Sequence, residues 1–342
     1  MASGVQAQRS LSSSNSSRSL SSTFANSKLL RGMPLDIAMH RFGMIWRRAN
    51  LPNAYDLSEP VKYLSGFLSH NWSTHWLGKY CVLVLHFNAG RASAAALLSG
   101  LGGSFLTSYE LVPHIEHAVQ AIQPDGFASL ALGAVAFWAT LLLSHELDYF
   151  LSIRCSQRYR PRVFLDKTCI RQDDENLKLE GISCLAAFIE HSHNFYLIYS
   201  STYFRKIWTT YEIACWTTLK TNDRCVFMPV FVPPAVFGLW FCVVFFYLFQ
   251  IVVRSFGVPD ATMSMGICAV PAVLMASTLI RFQWREFSQL SATLRDFSFG
   301  ACSCANKDDR PLVYAGIAGF LKQKGMVRHD ASEHEAVARC ER

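Results

Sequence analysis

Hydrophobic and polar positions divide this chain into two kinds of segment. The first kind is the long apolar run. Cys225 to Val253, "CVFMPVFVPPAVFGLWFCVVFFYLFQIVV", carries no charge, and Ala261 to Ile280, "ATMSMGICAVPAVLMASTLI", is uncharged up to Arg281. Phe127 to His145 is a third run, and Tyr80 to Leu106 is a fourth that contains Asn88 and Arg91. About 20 apolar residues in a helix cross a ~30 Å hydrocarbon core. Four membrane helices are therefore expected near 80–106, 127–148, 226–253 and 261–281. The Gly, Ala and Ser content of 80–106 suits close packing in lipid, although its polar residues also fit an amphipathic soluble helix. The second kind of segment is short and bounded by turn residues. Residues 63–70, 162–167 and 194–200 read as strands, and 177–192 and 205–219 as amphipathic helices. Strands alternating with helices predict an α/β fold with a parallel sheet.

Composition agrees with a chain partly dissolved in lipid. Hydrophobic residues make up 51% and charged residues only 17%, against about 25% charged in soluble domains. The lipid bilayer is the expected partner. The net charge of +7 is spread out, and no basic patch is interleaved with aromatics, so no nucleic-acid partner is expected. Residues 107–126 hold Glu110, Glu116 and Asp125 without Lys or Arg, whereas 154–224 is rich in both. The positive-inside rule then places both termini and the middle segment in the cytoplasm, with two hairpins dipping across a membrane whose identity stays open. On that side the sequon Asn71-Trp72-Ser73 stays unmodified. Eleven cysteines without a CxxC pair read as free thiols in a reducing compartment. No metal site is expected, and Cys302 and Cys304 are the nearest approach to one.

The organisation that follows has six parts. Residues 1–32 form a disordered Ser-rich tail, whose Arg content and lack of acids also fit an organelle transit peptide. The parts after it are 33–78 (soluble), 79–149 (first hairpin), 150–224 (soluble), 225–281 (second hairpin) and 282–342 (a cytoplasmic tail).

One position stands against its surroundings. At helical spacing Trp208, Tyr211, Cys215, Trp216 and Leu219 share a face, and Glu212 falls within it. Burying an unpaired carboxylate costs several kcal/mol. Either a cation such as Arg205 or Lys206 offsets that cost, or the position opens onto a pocket. Asp166, at a strand end, reads as a residue that orders the following loop through backbone amides. Asp173, Asp174 and Glu175 read as a solvated loop.

The ordered pieces "FLSHNW", "VFLDKTCI" and "GISCLAAFIEHSHNFYLIYSSTYFRKIWTTYEIACW" resemble a Toll/interleukin-receptor (TIR) domain. In that family a first strand ends in F-[IL]-S-x, and a second ends in V-F-[IL]-D before the BB loop. A third strand closes on "S..Y..S.W...E". "LDKTCIRQ" and "RKIWTTYE" are also similar to elements of heterokaryon-incompatibility domains. The resemblance covers roughly a hundred residues in two blocks. It implies a TIR-like, flavodoxin-type parallel sheet, interrupted and followed by transmembrane helical hairpins. About ninety residues separate "FLSH" from "VFLD", so the first hairpin is expected to replace the usual linking helix.

The resemblance further implies a function. Many TIR domains cleave the nicotinamide–ribose bond of NAD⁺, using the glutamate of the W-x-x-x-E element. Trp208 and Glu212 match that element. A single carboxylate near the ribose can stabilise the developing ribosyl cation. NAD⁺ is then a substrate, and no cofactor is expected. His70, Asn71, Trp72, Ser73, Trp208 and Tyr211 are the expected substrate-binding residues. Asp166, Cys169 and Gln172 belong to the loop that would act as an interface. The alternatives are a non-catalytic adaptor that self-associates through the TIR-like domain, and a channel or transporter. The last has little support, because only Arg91 places a charge within a span.

Overall fold

The computed structural model describes residues 20, 23–24, 26–48, 51–109, 124–154, 160–220, 223–255, 261–304, 306 and 309–340. The Ser-rich stretch before residue 20 and the Lys- and Arg-free loop at 110–123 lie outside the described residues. The chain order is β1 (Arg31–Pro34), α1 (Leu35–Arg47), β2 (Glu59–Pro60), β3 (Gly66–His70), α2 (Trp76–Ser108) and α3 (Pro124–Arg154). Then come β4 (Arg162–Phe164), α4 (Asp166–Cys169), α5 (Glu175–Ser183), α6 (Leu185–Glu190), β5 (Asn194–Tyr199) and α7 (Ile207–Leu219). The last elements are β6 (Arg224–Pro229), α8 (Val232–Ser255), α9 (Ala261–Arg295), α10 (Asp309–Gln323) and α11 (Glu333–Cys340).

One six-stranded sheet runs in the order β2-β1-β4-β3-β5-β6. β3 pairs in parallel with β4 and β5, and β5 with β6. Among the parallel strands the spatial order is second, first, third, fourth, the start of the flavodoxin-like doubly wound order. The strands expected at 63–70, 162–167 and 194–200 are all present, each shorter than expected. The sheet is mixed rather than all parallel, because β1 adds antiparallel to β4 and to β2. β6 is a further difference. Residues 225–229 were expected to open a membrane span, but they are a sheet strand. A buried parallel strand reads as a continuous apolar run, as a membrane segment does.

Alternation along the strands builds two cores. Phe67, Phe164, Phe195 and Leu197 face α6, α7 and α10. Met33, Leu68, Val163, Ile198 and Met228 face α1 and the first turns of α2. The Phe67 ring stacks on Phe164 at 4.5 Å and on Phe195 at 5.5 Å, tying the three central strands together. Tyr80, Val82, Leu83 and Val84 of α2 are buried on the sheet, while Leu97, Leu98 and Leu101 further along are exposed. The α2–α3 hairpin thus links β3 to β4, with its base on the sheet and its far end bare. Small residues bring the two helices together: a Cβ at Gly133 would lie 3.1 Å from the Ala96 carbonyl oxygen.

Trp76–Leu106, Ser129–Ser152 and Gly266–Arg295 are long and apolar enough to cross a membrane. In α8 the described apolar stretch is Val232–Phe246, which is shorter. This is a membrane protein by the length and composition of those helices.

Neither expected tail boundary holds. Leu20 and Phe24 pack on the core, and the Phe24 ring meets Phe188 at 4.9 Å. At the other end α9 continues to Arg295, and the chain then folds back. Val313, Ile317 and Leu321 of α10 and Ala336 and Val337 of α11 are buried with Tyr211 and Trp216 of α7. Residues 282–342 are therefore a wall of the domain rather than a tail. The i, i+4 spacing of Val313, Ile317 and Leu321 is an amphipathic signal for that helix.

α1 is interrupted by a left-handed turn at Arg41, Phe42 and Gly43, with φ of 50°, 54° and 71°. Two bulky non-glycine residues in that region are strained. Glu146 of α3 holds the turn: its carboxylate accepts from the Arg41 N–H and lies 2.6 Å from His40 Nδ1. Gly43 is needed on two counts, since its φ is positive and a Cβ there would sit 2.9 Å from Tyr80 Cβ.

If residues 309–340 are core, Ile317→Ala should cost about 2–4 kcal/mol of stability, read as a lowered unfolding midpoint of the full chain in detergent. A change within error would return this segment to the status of a tail.

Candidate functional site

Open α/β sheets bind ligands at the carboxyl ends of their strands, and a cleft of about 1310 Å³ opens there. The turn after β3 supplies His70, Asn71, Trp72 and Ser73, and the segment after β4 supplies Asp166, Lys167, Arg171 and Gln172. The start of α7 supplies Lys206, Trp208, Thr209 and Glu212. Arg31, Tyr55 and Lys178 line the far end. Eight of the ten residues expected at the site line this one cleft. Tyr211 and Cys169 do not. Both are buried in the core, Tyr211 because its position on α7 turns it under α10, Cys169 because α4 packs it beneath β4.

Glu212 is half-buried on the cleft floor. Among the described residues no cation forms an ion pair with it, Arg205 and Lys206 included. Its Oε2 accepts from Ser69 Oγ at 2.5 Å, and Ser69 Oγ lies 2.5 Å from the Tyr203 hydroxyl. With Ser69 donating to the carboxylate, the Tyr203 hydroxyl donates to Ser69. Burial pushes the Glu212 carboxyl up to about 8; the Ser69 hydrogen bond opposes this and the Asp166 charge adds to it. The group is thus largely an uncharged acid at neutral pH. Tyr203 is fully buried, and burial followed by the nearby Glu212 charge holds its hydroxyl well above the usual range.

The turn after β3 is hydrogen-bonded within itself and to Thr202. Asn71 Oδ1 accepts from the Ser73 N–H and Oγ at 3.0 Å, and Asn71 Nδ2 donates to Thr202 Oγ1 at 2.8 Å. Trp72 is exposed, but its Nε1 donates to Asp166 Oδ2 at 2.5 Å, and Lys167 Nζ lies 5.4 Å from its ring centroid. Asp166 also takes the expected loop-ordering role, since its Oδ1 accepts the Lys167 N–H at 2.6 Å. Gln172 folds back on the carbonyls of Asp166 and Ile170. His70 is buried between Trp46 and Trp72. Burial lowers its pKa to about 4, with Asp166 opposing and Lys79 reinforcing the shift, so the ring is neutral at pH 7.

Trp208 presents its indole at the other side of the cleft, and its Nε1 donates to Asp309 Oδ2 at 2.9 Å. Ser303 joins the same wall, where its N–H and Oγ donate to the Arg205 carbonyl at 2.7 and 2.8 Å. At the far end Tyr55 lies under the Arg31 guanidinium, 4.1 Å from the ring centroid, with Arg171 at 5.6 Å. The cleft can therefore offer two aromatic faces, several cations and one protonated carboxyl group to a ligand.

Ser69, Tyr203, Asp309 and the Arg31–Tyr55 stack were not among the expected residues. Two had a signal: Ser69 is the serine of "FLSH", and Tyr203 is the tyrosine of the "S..Y" element. Asp309 had none, since its place depends on the return of the chain after α9.

Comparison with protein-family models, with curated proteins and with solved structures finds no match to this chain.

The raised Glu212 pKa has a definite stability consequence. Between about pH 4.5 and about pH 8 the unfolded chain has lost this proton and the folded chain keeps it. Stability therefore falls as pH rises through that window. Glu212→Gln removes the titration. Its unfolding midpoint should gain on wild type from pH 5 to 8 and run parallel above that. A variant equally weakened at every pH would show that Glu212 acts only as a fixed hydrogen-bond acceptor.

Proposed function

We propose that this chain is a membrane-anchored, TIR-like protein that binds NAD⁺ in the cleft and cleaves its nicotinamide–ribose bond. The observation that carries the reading is Glu212: a carboxyl group on the floor of an open cleft, without an ion-pair partner among the described residues. The parallel strand order and the adjacency of "FLSH" and "VFLD" in one sheet support it.

In this reading the chemistry runs on charge. NAD⁺ brings a positively charged nicotinamide ring, and bond cleavage moves positive charge onto the ribose. A cation near Glu212 favours its ionised form, so binding draws the proton off, and the carboxylate then faces the ribosyl cation as it forms. Ser69 holds the carboxylate in orientation. Trp72 and Trp208 offer ring faces, and Lys206 offers charge to the pyrophosphate, with Arg171 able to join it on leaving Asp173. Water or an intramolecular ring nitrogen then takes the ribosyl carbon, giving hydrolysis or cyclisation.

The same acid supports a second reading. A neutral carboxyl group that hydrogen-bonds Ser69 is already satisfied without a ligand. Glu212 is then a polar core group, and the domain works as an adaptor by self-association.

Turnover of NAD⁺ by purified wild type and Glu212→Gln separates the readings. The catalytic one expects a fall of ~10² or more, about 3 kcal/mol of transition-state stabilisation. It also expects wild-type kcat/KM to rise with pH and level off above about 8, since the free enzyme must lose the Glu212 proton. A wild type without turnover, or a variant that turns over NAD⁺ like wild type, ends the catalytic reading.

A further inference from the structure

Three groups form a line beneath the cleft floor: the Tyr203 hydroxyl, Ser69 Oγ and Glu212 Oε2, with 2.5 Å between neighbours. Tyr203 and Ser69 are fully buried. Neither hydroxyl has another hydrogen-bond partner among the described residues. Of the elements around Glu212, β3 contributes Ser69, the chain before α7 contributes Tyr203, and the turn after β4 contributes the charge of Asp166. No cation pairs with the carboxyl group among the described residues, and burial, with the Asp166 charge adding to it, favours the neutral acid.

In the neutral state each of the three groups carries one proton, but the line has only two contacts to receive them. One proton must point out of the line. A buried hydroxyl proton without an acceptor bears the full cost of its desolvation, and the three groups differ in this respect. The Tyr203 proton can be placed only on Ser69. Ser69 Oγ then has only Oε2 to which it can donate. Glu212 Oε1 is different. It has no hydrogen-bond partner in the protein among the described residues, and it is not sealed from the cleft that Glu212 lines.

We infer that the acidic proton of Glu212 sits on Oε1 and points into the cleft, held there by Tyr203 and Ser69 as positioning residues. The resting cleft therefore presents an O–H donor, which fits a ligand with an acceptor oxygen at that place, such as a ribose hydroxyl. Ionisation breaks only the Oε1–H bond. The electron pair stays on the carboxylate, and the proton passes to water in the cleft. Tyr203 still donates to Ser69, and Ser69 still donates to Oε2. The arrangement that holds the acid already suits the anion, so neither hydroxyl has to turn when the charge appears. The placement of the proton does not depend on what the cleft binds, whereas its use in catalysis rests on the NAD⁺ reading above.

The test is infrared difference spectroscopy of the full chain in detergent, below and above the Glu212 titration at about pH 8. The acid carbonyl stretch of Glu212 is the band that Glu212→Gln removes. With the proton on Oε1, the carbonyl oxygen is Oε2, which accepts from Ser69, so Ser69→Ala should move the band to higher frequency. Tyr203→Phe should move it the same way by less, because the Tyr203 hydroxyl strengthens the Ser69 donor. That variant carries the test if Ser69→Ala does not fold. Ser69→Ala should also raise the Glu212 midpoint by about one pH unit, since it removes a hydrogen bond that favours the charged form. A band that neither variant moves would place the proton on Oε2 and overturn the inference. The absence of any band removed by Glu212→Gln would overturn it as well. In the NAD⁺ assay Tyr203→Phe should lower kcat several-fold with little change in KM, and an unchanged kcat would overturn the positioning role. A wild type without turnover ends the NAD⁺ reading alone, because the infrared result needs no NAD⁺.

Discussion

The structure depends on Phe67. Its ring lies between Phe164 and Phe195, so β3 is held to a strand that follows the α2–α3 hairpin and to another that lies further on. The chain leaves the sheet at His70 for two long helices and must return at Arg162 in register beside the strand it left. Loop-closure entropy grows only slowly with length, so the long excursion costs little as long as its two ends are fixed together. Fixing them is the work of the aromatic stack and of α2, whose first turns are part of the second core. The turns after β3 and β4 then face each other, and the cleft lies between them.

The floor of that cleft shows how the fold tolerates a carboxyl group among apolar residues. Two solutions exist for such a group: a cation, or a proton. The neighbouring cations point elsewhere. Lys167 donates to the carbonyls of Ile45 and Arg48, and the Arg205 charge acts on Tyr199 rather than on Glu212. Burial therefore acts through the proton, and the carboxyl group is held neutral beside Ser69 and Tyr203. Neutrality removes most of the desolvation cost while keeping a latent charge at the surface of an open cleft. Strain elsewhere in the domain is handled similarly by local bonds, as in the left-handed turn at Arg41–Gly43 that Glu146 caps.

The three central strands and α7 were legible because each pairs a short apolar run with turn residues. Glu212 was legible because a charged residue broke a stripe at helical spacing. β6 was not: "CVFMP" continues into α8 without a polar break, and a buried strand and a membrane helix share that signature. β1 and β2, at four and two residues, are too short for any period to show. Tyr211 misled because a helix face is wider than one pocket. Trp208 and Glu212 turn toward the cleft, whereas Tyr211, one residue before Glu212, turns under α10. The C-terminal helices had a readable stripe, and their role as a wall became visible only once α10 lay on α7.

The long apolar helices begin as part of the core that supports the cleft, so the soluble part cannot be regarded as a module on tethers. α2 contributes Tyr80, Leu83 and Val84 to the layer under β3, and α3 supplies Glu146 to the turn that positions Ile45 and Trp46. Trp46 in turn packs against His70 at 5.0 Å. On the opposite wall the chain emerging from α9 lays Ser303 along the start of α7, and Asp309 holds the Trp208 indole. Removing the hydrophobic helices would strip one face of the sheet and release both tryptophan-bearing walls. Interiors packed to the density of organic crystals do not refill such losses. The geometry around Glu212 therefore rests on the chain as a whole, and the helices long and apolar enough to cross a membrane support the cleft from behind without lining it.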